Sequence, residues 1–246
     1  MIEMIGSKIF LDDNYELREY YTENGIVRAL VSNECTHSLI YLDKDKRNLL
    51  AIDYFKYYNL PVDLNPAGTD YLMLGGGAIS YPRYYLNNYK NKKIDIVEIN
   101  SKCIEYSKKY FYLDELIDYA NERLDIIIDD AIKYISYTNK KYDYVLIDLF
   151  NGRQAIKEIY EPESIINLNR VLKKNGVIVI NYVIENNNDK EILKKIIKIA
   201  SEYKIITNEK YFNFLNNIGN IIIVLSNNEI YIPNTYEYID ITNNVI

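Results

Sequence analysis

Three consecutive glycines lie between an apolar run and a predicted helix, a pattern that can bind a nucleoside. Gly75, Gly76 and Gly77 directly follow the apolar residues 72–74. Glycine lets the backbone turn tightly and approach a ligand without Cβ collisions, and the following helix N-terminus attracts negative charge. In the dinucleotide pattern GxGxxG the third glycine position is Ser80, so that fingerprint is incomplete. The triplet alone is also compatible with a simple tight turn.

Acidic residues end or follow the next three predicted strands. Glu98 ends the second strand about 20 residues beyond the glycines, where a carboxylate can bind both ribose hydroxyls of a nucleoside. Asp130 follows the third strand and Asp148 ends the fourth. Because ligands bind outside the carboxyl ends of strands in open α/β sheets, these acids and the glycines are predicted to share one edge. The alternative for Asp129 or Asp130 is that it only caps the next helix.

The alternation of strands and helices after residue 66 predicts the sheet that must position these side chains. The predicted strands are 71–74, 94–98, 124–128, 142–148 and 177–181, and the helices between them are about 79–89, 101–120, 131–137 and 162–173. Near-continuous apolar strands separated by helices are typical of a parallel sheet covered on both faces. A helix over 189–201 then precedes two strands, 203–207 and 220–226, which are too close for a covering helix. We expect a doubly wound, mostly parallel seven-stranded sheet whose last strand is antiparallel.

The first 66 residues have a different pattern. Short β-prone runs between Lys8 and Leu42, separated by turn-like segments, predict a few antiparallel strands. Residues 48–59 have apolar side chains at helical spacing, and Pro61 then interrupts the chain. We therefore predict two regions: a small β-rich region with a linking helix at 1–66, and a Rossmann-like sheet domain at 67–246.

Composition excludes several classes of protein. The 246 residues include 29 Lys and Arg against 35 Asp and Glu, a net charge of −6 that argues against nucleic acid as a partner. Cys35 and Cys103 lie far apart and His37 is the single histidine, so neither a disulfide framework nor a metal site is expected. No apolar run approaches the roughly 20 residues of a membrane-spanning helix, and the first residues do not resemble a signal peptide. A cytoplasmic protein is the expectation.

Taken in order, the motifs resemble those of the spermidine-synthase-like family within the S-adenosylmethionine-dependent methyltransferase fold. They are GGG at 75–77, VEIN at 97–100, DDA at 129–131 and YDYVLID at 142–148. The resemblance covers roughly residues 70–183. It implies a methyltransferase-like fold, S-adenosylmethionine or its decarboxylated form as cofactor, no metal, and a small-molecule acceptor. Because the family often forms dimers, a homodimer is expected by analogy.

The resemblance also assigns roles to individual residues. Those expected to bind the cofactor are Gly75, Gly76, Gly77, Glu98, Ile99, Asp130, Ala131 and Asp148. Among them, the glycines pass under the sulfonium end, Glu98 holds the ribose hydroxyls, and Asp130 accepts a hydrogen bond from the adenine amino group. Ile99 and Ala131 lie beside the adenine. Asp148 is the expected catalytic residue, which binds and deprotonates the attacking amine.

Two departures from the family pattern bear on the reaction. Spermidine synthases have an aspartate after the glycines that binds the ammonium of the aminopropyl group, and here that position is Ala78. A second acid, in the loop after the fourth strand, is replaced by Asn151. Loss of an acid removes the counter-charge of the ammonium, and also the repulsion against the carboxylate of intact S-adenosylmethionine. The preferred hypothesis is therefore methyl transfer to an amine or hydroxyl acceptor.

Two alternatives stay open at this stage. The first is a polyamine aminopropyltransferase in which other residues replace the missing acids, and the second is a non-catalytic nucleoside-binding module. The loop 152–163, the N-terminal strands and the tyrosines within 53–58 and 81–85 are the segments expected near the acceptor, although core packing is the commoner role for such tyrosines. The charge of the cavity wall beside Ala78 bears on this choice: an acidic tunnel there would favour a polyamine substrate, and a neutral one would favour methyl transfer.

Overall fold

The computed structural model describes residues 3–33 and 35–245. The N-terminal part forms a four-stranded antiparallel sheet in chain order. Its strands are β1 (Glu3–Phe10), β2 (Glu16–Thr22), β3 (Gly25–Ser32) and β4 (Cys35–Tyr41). The expected small β-rich region is thus a complete meander, because each strand is joined to the next by a short turn.

A helical segment links the two sheets. A 3₁₀ helix over Asp53–Asn59 leads directly into α1 (Leu60–Leu64), with Phe55 and Tyr58 buried. The helix predicted over 48–59 is a shorter 3₁₀ helix, and the break predicted at Pro61 is not found there. The first turn of a helix leaves its N–H groups unpaired, so proline, which has no N–H, fits in the first turn of α1.

The central sheet carries the strand and helix alternation that the sequence predicts. Its strands are β5 (Asp70–Leu74), β6 (Lys93–Glu98), β7 (Leu124–Ile128), β8 (Tyr142–Ile147), β11 (Leu172–Ile184), β12 (Glu202–Thr207), β13 (Phe212–Asn213), β14 (Ile218–Ser226) and β15 (Ile239–Asp240). The order is β15-β12-β14-β11-β8-β5-β6-β7, with β13 paired to β14. A separate hairpin, β9 (Phe150–Asn151) with β10 (Gln154–Ala155), follows β8.

Helices cover both faces of this sheet. They are α2 (Ser80–Asn88), α3 (Ser101–Tyr110), α4 (Leu113–Ala120), α5 (Ala131–Tyr137), α6 (Pro162–Val171) and α7 (Asn187–Ile196), with α8 (Thr242–Val245) near the C-terminus. The predicted helix 101–120 is two helices, because Tyr112 has a left-handed backbone (φ 57°) that ends α3 and begins α4.

Alternate residues of each central strand enter two separate cores. In β5, Leu72 and Leu74 pack with α5, α6 and α7, whereas Tyr71 and Met73 pack with α1, α2 and α4. This is the pattern of a parallel sheet buried on both faces. The methyltransferase-like α/β fold is confirmed, and the short strands β13 and β15 extend the seven expected strands.

The last strands close the sheet as an antiparallel unit. β14 lies between β11 and β12 and runs antiparallel to both. β11 is unusually long: it pairs with β8 only as far as Ile180, opposite Ile147, but with β14 as far as Ile184. Its carboxyl end therefore projects past β8. The division of the chain at residue 66 remains a prediction, although the two sheets are separate.

Candidate functional site

A cavity of about 840 Å³ opens at the carboxyl ends of the central strands. This volume is within the range of small-molecule sites, and the position is where open α/β sheets bind ligands. All eight residues expected to bind a cofactor line it: Gly75, Gly76, Gly77, Glu98, Ile99, Asp130, Ala131 and Asp148. The structure thus brings together every predicted site residue, while their individual roles remain predictions.

The glycine loop is fixed by its neighbours on three strands. The N–H of Gly75 donates to the carbonyl of Val97 (2.9 Å), and the N–H of Asp148 donates to the carbonyl of Leu74 (2.9 Å). Gly75 has φ 92°, and a Cβ there would collide with the backbone carbonyl of Asp148. A glycine is required because the ends of β5 and β8 approach too closely for any side chain.

Glu98 holds the same loop through its carboxylate. Its Oε2 accepts hydrogen bonds from the N–H groups of Gly76 (3.0 Å) and Gly77 (2.9 Å), and its Oε1 accepts from the N–H of Asn100 (2.8 Å). Glu98 is only 8% exposed. An ionised carboxylate can accept about four hydrogen bonds, so this arrangement leaves capacity for a ribose hydroxyl.

The predicted adenine end is more open. Asp130 caps α5, with Oδ1 accepting from the N–H of Lys133 (3.0 Å), so the capping alternative is correct for this oxygen. Its carboxylate also lines the cavity, which keeps the predicted contact to a base possible. Ile99 is 67% exposed there, an unusual placement for isoleucine that a stacked ring would cover.

Asp148 lies at the base of the cavity, partly exposed to it but enclosed by protein. Burial raises the pKa of Asp148 to about 6, while contacts to the polar groups of Asn181 and Tyr58 oppose this and nearby Glu98 adds to it. The Nδ2 of Asn181 donates to Oδ1 of Asp148 (2.9 Å). A carboxylate with this pKa is charged at neutral pH and is basic enough to accept a proton from a bound group.

Asn181 and Asn220 were missed by sequence analysis. The Nδ2 of Asn220 donates to Oδ1 of Asn181 (2.8 Å), and both residues line the cavity with Glu185 and Val183. Asn181 interrupts a run of aliphatic residues, and a polar residue inside a buried strand is a signal that could have indicated it, whereas Asn220 precedes the aliphatic run of β14 and has no such signal. Glu185 follows β11 and has no comparable signal.

The N-terminal sheet provides one wall of the cavity. The Oγ of Ser38 accepts from the N–H of Ala78 (2.8 Å), and a Cβ on Gly77 would lie 2.8 Å from the carbonyl oxygen of His37. Tyr15 reaches the central domain, where its hydroxyl accepts from Nδ2 of Asn100 (2.7 Å). The expectation that N-terminal strands approach the site agrees with these contacts.

Ala78, the position of the missing acid, does not line the cavity. Its side chain is 3% exposed and belongs to the apolar cluster between α3 and the N-terminal sheet. The cavity wall beside it consists instead of neutral groups from Ser38, Ser80 and His37, and burial lowers the pKa of the His37 imidazole. This end of the cavity is therefore uncharged apart from Glu98.

The other segments named for the acceptor pocket contribute unequally. From the loop 152–163, only the first residues line the cavity, including Gly152 and Arg153, whereas Tyr160 is buried in the core. Tyr54 and Tyr81 line the cavity, but Tyr85 is fully buried and has the core role. Burial also raises the pKa of the Cys103 thiol to about 11, so it is not a nucleophile.

The cavity as a whole is acidic. Among the described residues that line it, the carboxylates of Glu98, Asp130, Asp148 and Glu185 face a single guanidinium, that of Arg153. Neither Glu185 nor Arg153 forms an ion pair within the described part of the chain. The predicted absence of a metal remains a prediction, and none of the described His, Cys, Asp and Glu side chains form a group of three or more that could hold one.

Comparison with known proteins gives a consistent family. The family described as spermine/spermidine synthase domain matches residues 57–229. A polyamine aminopropyltransferase of Methanocaldococcus jannaschii is 33% identical over 132 residues, which are 52% of this chain and 44% of that relative. The chain therefore spans less than half the length of that curated relative.

Solved structures show the same fold. A probable spermidine synthase from Corynebacterium glutamicum superimposes with a TM-score of 0.73 at 19% identity, over 94% of this chain and 83% of the other. Human methyltransferase-like protein 13 superimposes with a TM-score of 0.61 at 17% identity, over 75% of this chain and 87% of the other. At these low sequence identities, the superpositions show only that the folds are similar. Together with the family match, the curated relatives favour the aminopropyltransferase alternative over the methyl transfer suggested by Ala78 and Asn151.

In the part of the chain that the structure describes, the helices are too short or too polar to cross a bilayer.

Proposed function

The chain belongs to the spermine/spermidine synthase family, and on this premise we propose that it is an aminopropyltransferase. The donor is decarboxylated S-adenosylmethionine and the acceptor is an aliphatic amine, with a diamine preferred. The expected homodimer and the cytoplasmic location remain predictions that accompany this proposal.

The acidic cavity is the observation that carries the proposal. Carboxylates outnumber basic groups among its described lining residues, and two of them, Asp148 and Glu185, follow the neighbouring strands β8 and β11. A cavity of one sign concentrates ligands of the opposite sign. Intact S-adenosylmethionine carries a sulfonium, an ammonium and a carboxylate, whereas the decarboxylated form lacks the negative group. Both the decarboxylated donor and a diamine therefore suit this cavity better than an anionic ligand.

The position of Glu185 supports a diamine. Asn181 and Val183 on β11 and Glu185 directly after it are alternate residues that all line the cavity, and Asn181 contacts Asp148. Four residues of strand separate the Cα atoms of Asn181 and Glu185 by roughly 13 Å. A diamine could therefore place one ammonium at Asp148 and the other at Glu185, with its methylenes along Val183. Each ammonium would then face a carboxylate.

Asp148 performs the proton transfer in this proposal. A bound sulfonium nucleoside supplies an already activated carbon, so the reaction needs a free amine and correct alignment more than covalent help from the protein. The ionised carboxylate of Asp148 accepts one proton from the acceptor ammonium, and the amine lone pair then forms the new N–C bond. The C–S bond breaks as its electron pair moves to sulfur, so the leaving group is a neutral thioether.

Calorimetry and product analysis test the proposal. The purified chain is titrated with intact and with decarboxylated S-adenosylmethionine, and each is then incubated with diamines and monoamines. We expect tighter binding of the decarboxylated donor and a product that is heavier than the amine by one aminopropyl group. Binding of the intact donor alone, with products heavier by one methyl group, would overturn aminopropyl transfer.

Methyl transfer is the second candidate, and the neutral wall beside Ala78 favours it. Ser38, His37 and Ser80 offer no negative charge to the ammonium of an aminopropyl group, and no repulsion to the carboxylate of the intact donor. The same calorimetric comparison separates the candidates. Failure to detect either product with either donor would leave a nucleoside-binding module as the remaining reading.

A further inference from the structure

Two asparagine side chains connect the interior of the sheet to Asp148. Asn220 lies on β14, Asn181 lies on the neighbouring β11, and Asp148 directly follows β8, the next strand in the sheet. The hydrogen bonds run in one direction, from Asn220 Nδ2 to Asn181 Oδ1 (2.8 Å), and from Asn181 Nδ2 to Asp148 Oδ1 (2.9 Å).

The backbone on both sides of this chain is held firmly. Asn181 is 4% exposed and lies in the stretch of β11 that is paired with β14. The N–H of Asn220 donates to the carbonyl of Tyr211 (2.9 Å), and its carbonyl accepts from Oγ1 of Thr207 (2.7 Å). Because both residues lie in paired strands, their side chains are placed by the sheet and not by a flexible loop.

An amide has a donor end and an acceptor end, so the direction of the chain has a chemical consequence. With the acceptor oxygen of Asn181 occupied by Asn220, its NH₂ group must point at Asp148. The opposite orientation would bring the oxygen of Asn181 against the carboxylate, where two acceptors repel. Asn220 therefore selects the orientation in which Asn181 donates.

We propose that Asn220 and Asn181 form an amide relay that orients the Asp148 carboxylate, occupying Oδ1 and leaving the second oxygen to accept the proton of the acceptor amine. Both are positioning residues, since they act through Asp148. The proposal rests on the role of Asp148 in the proposed function, and it explains why a buried polar residue, Asn181, lies inside the aliphatic part of β11.

Other groups also face Asp148, and the Tyr58 hydroxyl lowers its pKa together with Asn181. Tyr54 and Tyr58 face it from the linking 3₁₀ helix, and Tyr160 faces it from the segment before α6; burial raises the pKa of all three, so they stay neutral. Glu98 faces it from the end of β6, and its charge raises the pKa of Asp148. A hydrogen bond donated by Asn181 stabilises the charged carboxylate and opposes both burial and Glu98.

The test uses Asn181→Leu and Asn220→Leu, which remove the amides at similar volume. Asn88→Leu is the matched control, because Asn88 is exposed on α2 and its Nδ2 donates only to the carbonyl of Tyr84 among the described residues (2.8 Å). The ionisation of Asp148 is followed by carboxyl ¹³C NMR in the protein without ligand, with Asp148→Asn used to assign its signal. This readout does not require any catalytic activity.

We expect the titration midpoint of Asp148 to rise by about one pKa unit in Asn181→Leu and by less in Asn220→Leu, with no change in Asn88→Leu. In turnover assays, the loss in kcat/KM of Asn181→Leu is expected to be about fivefold at pH 6 and to diminish as the pH rises. A purely structural role would lower kcat/KM equally at every pH.

Two outcomes would overturn the relay: an unchanged Asp148 midpoint in both leucine variants, or a loss of turnover that is independent of pH. If Asn181→Leu does not fold, the Asp148 midpoint in Asn220→Leu decides whether the relay exists. Asn220 is less buried than Asn181 and lies one hydrogen bond further from Asp148, so its substitution disturbs the fold less. If the unmodified chain transfers no aminopropyl group but the midpoints still shift, the proposed function fails while the relay stands.

Discussion

The two ends of the cavity are built in different ways. The proposed nucleoside end consists of loops that directly follow β5, β6 and β7, with Glu98 binding the backbone of the glycine loop beside it. The acceptor end consists of side chains from strands far apart in the chain, with Asn181 and Asn220 meeting Asp148. The first end uses local motifs, and the second exists only once the sheet is assembled.

The two ends also differ in how their carboxylates are stabilised. Glu98 accepts three backbone N–H groups, so its charge is compensated without any ligand. Asp148 receives fewer hydrogen bonds than its burial requires, and burial raises its pKa to about 6. A compensated carboxylate is suited to holding a ligand in place, whereas an undercompensated one is suited to accepting a proton. This contrast predicts that mutations at the two ends affect different quantities.

The largest expected effect is on turnover at the acceptor end. Asp148→Asn should lower kcat by about 10²–10⁴-fold because the proton acceptor is lost, while donor affinity stays nearly unchanged. Steady-state kinetics with a diamine and calorimetry with the donor measure the two quantities. An equal loss of kcat and of donor affinity would contradict the proposed difference between the two ends of the cavity. Unchanged turnover would exclude Asp148 from the mechanism.

Donor affinity should depend on the nucleoside end. Glu98→Gln replaces one carboxylate oxygen with an NH₂ group, which cannot accept hydrogen bonds from the glycine loop or from ribose. We therefore expect the affinity for the donor to fall by about 100-fold. Glu105→Gln, an exposed residue on α3, is the control with the same change of charge. Calorimetry that finds wild-type affinity in Glu98→Gln would exclude this carboxylate from ribose binding.

Asp148→Asn should stabilise the folded protein although it lowers the activity. The pKa of Asp148 is raised in the folded protein, so its charged form is unfavourable above pH 6, and this penalty disappears below the ordinary pKa near 4. Asp148→Asn should therefore raise the free energy of unfolding by about 3 kcal/mol at pH 8, with the gain shrinking between pH 6 and pH 4. Urea unfolding at several pH values checks this, and a gain that is constant with pH would contradict it.

The smallest expected effect concerns acceptor choice. Glu185 is exposed, so Glu185→Gln should raise KM for a diamine by only about two- to fivefold and leave KM for a monoamine unchanged. Glu191→Gln is a suitable control, because Glu191 lies on α7, pairs with Lys194 and does not line the cavity. Equal KM changes for both amines would place the second ammonium elsewhere.

Sequence patterns were sufficient for most of the sheet and for the nucleoside end. The glycines, Glu98 and Asp130 lie within a few residues of strand ends, so a correct strand order places them together. The errors arose where tertiary contacts outweigh local preference. Pro61 lies in the first turn of α1 where a break was expected, and Tyr112 divides a predicted helix by adopting a left-handed backbone.

The reaction was harder to predict, because the sequence shows which acids are missing but not what surrounds their positions. Ala78 suggested methyl transfer, and the wall beside it is neutral, yet its own side chain packs into an apolar cluster and does not line the cavity. The negative charge comes instead from Asp148 and Glu185. A residue type therefore indicates the charge of a wall only when the fold turns that side chain toward it.

By itself the sequence determined the α/β alternation, the glycine loop and the acids at the strand ends, because these depend on hydrophobic periodicity and on residues adjacent in the chain. The tertiary structure alone decided the acceptor end. Asn181 reaches Asp148 because β11 projects past β8, and Asn220 reaches Asn181 because β14 inserts between β11 and β12. Such contacts between distant strands depend on sheet order and register, which local periodicity does not specify.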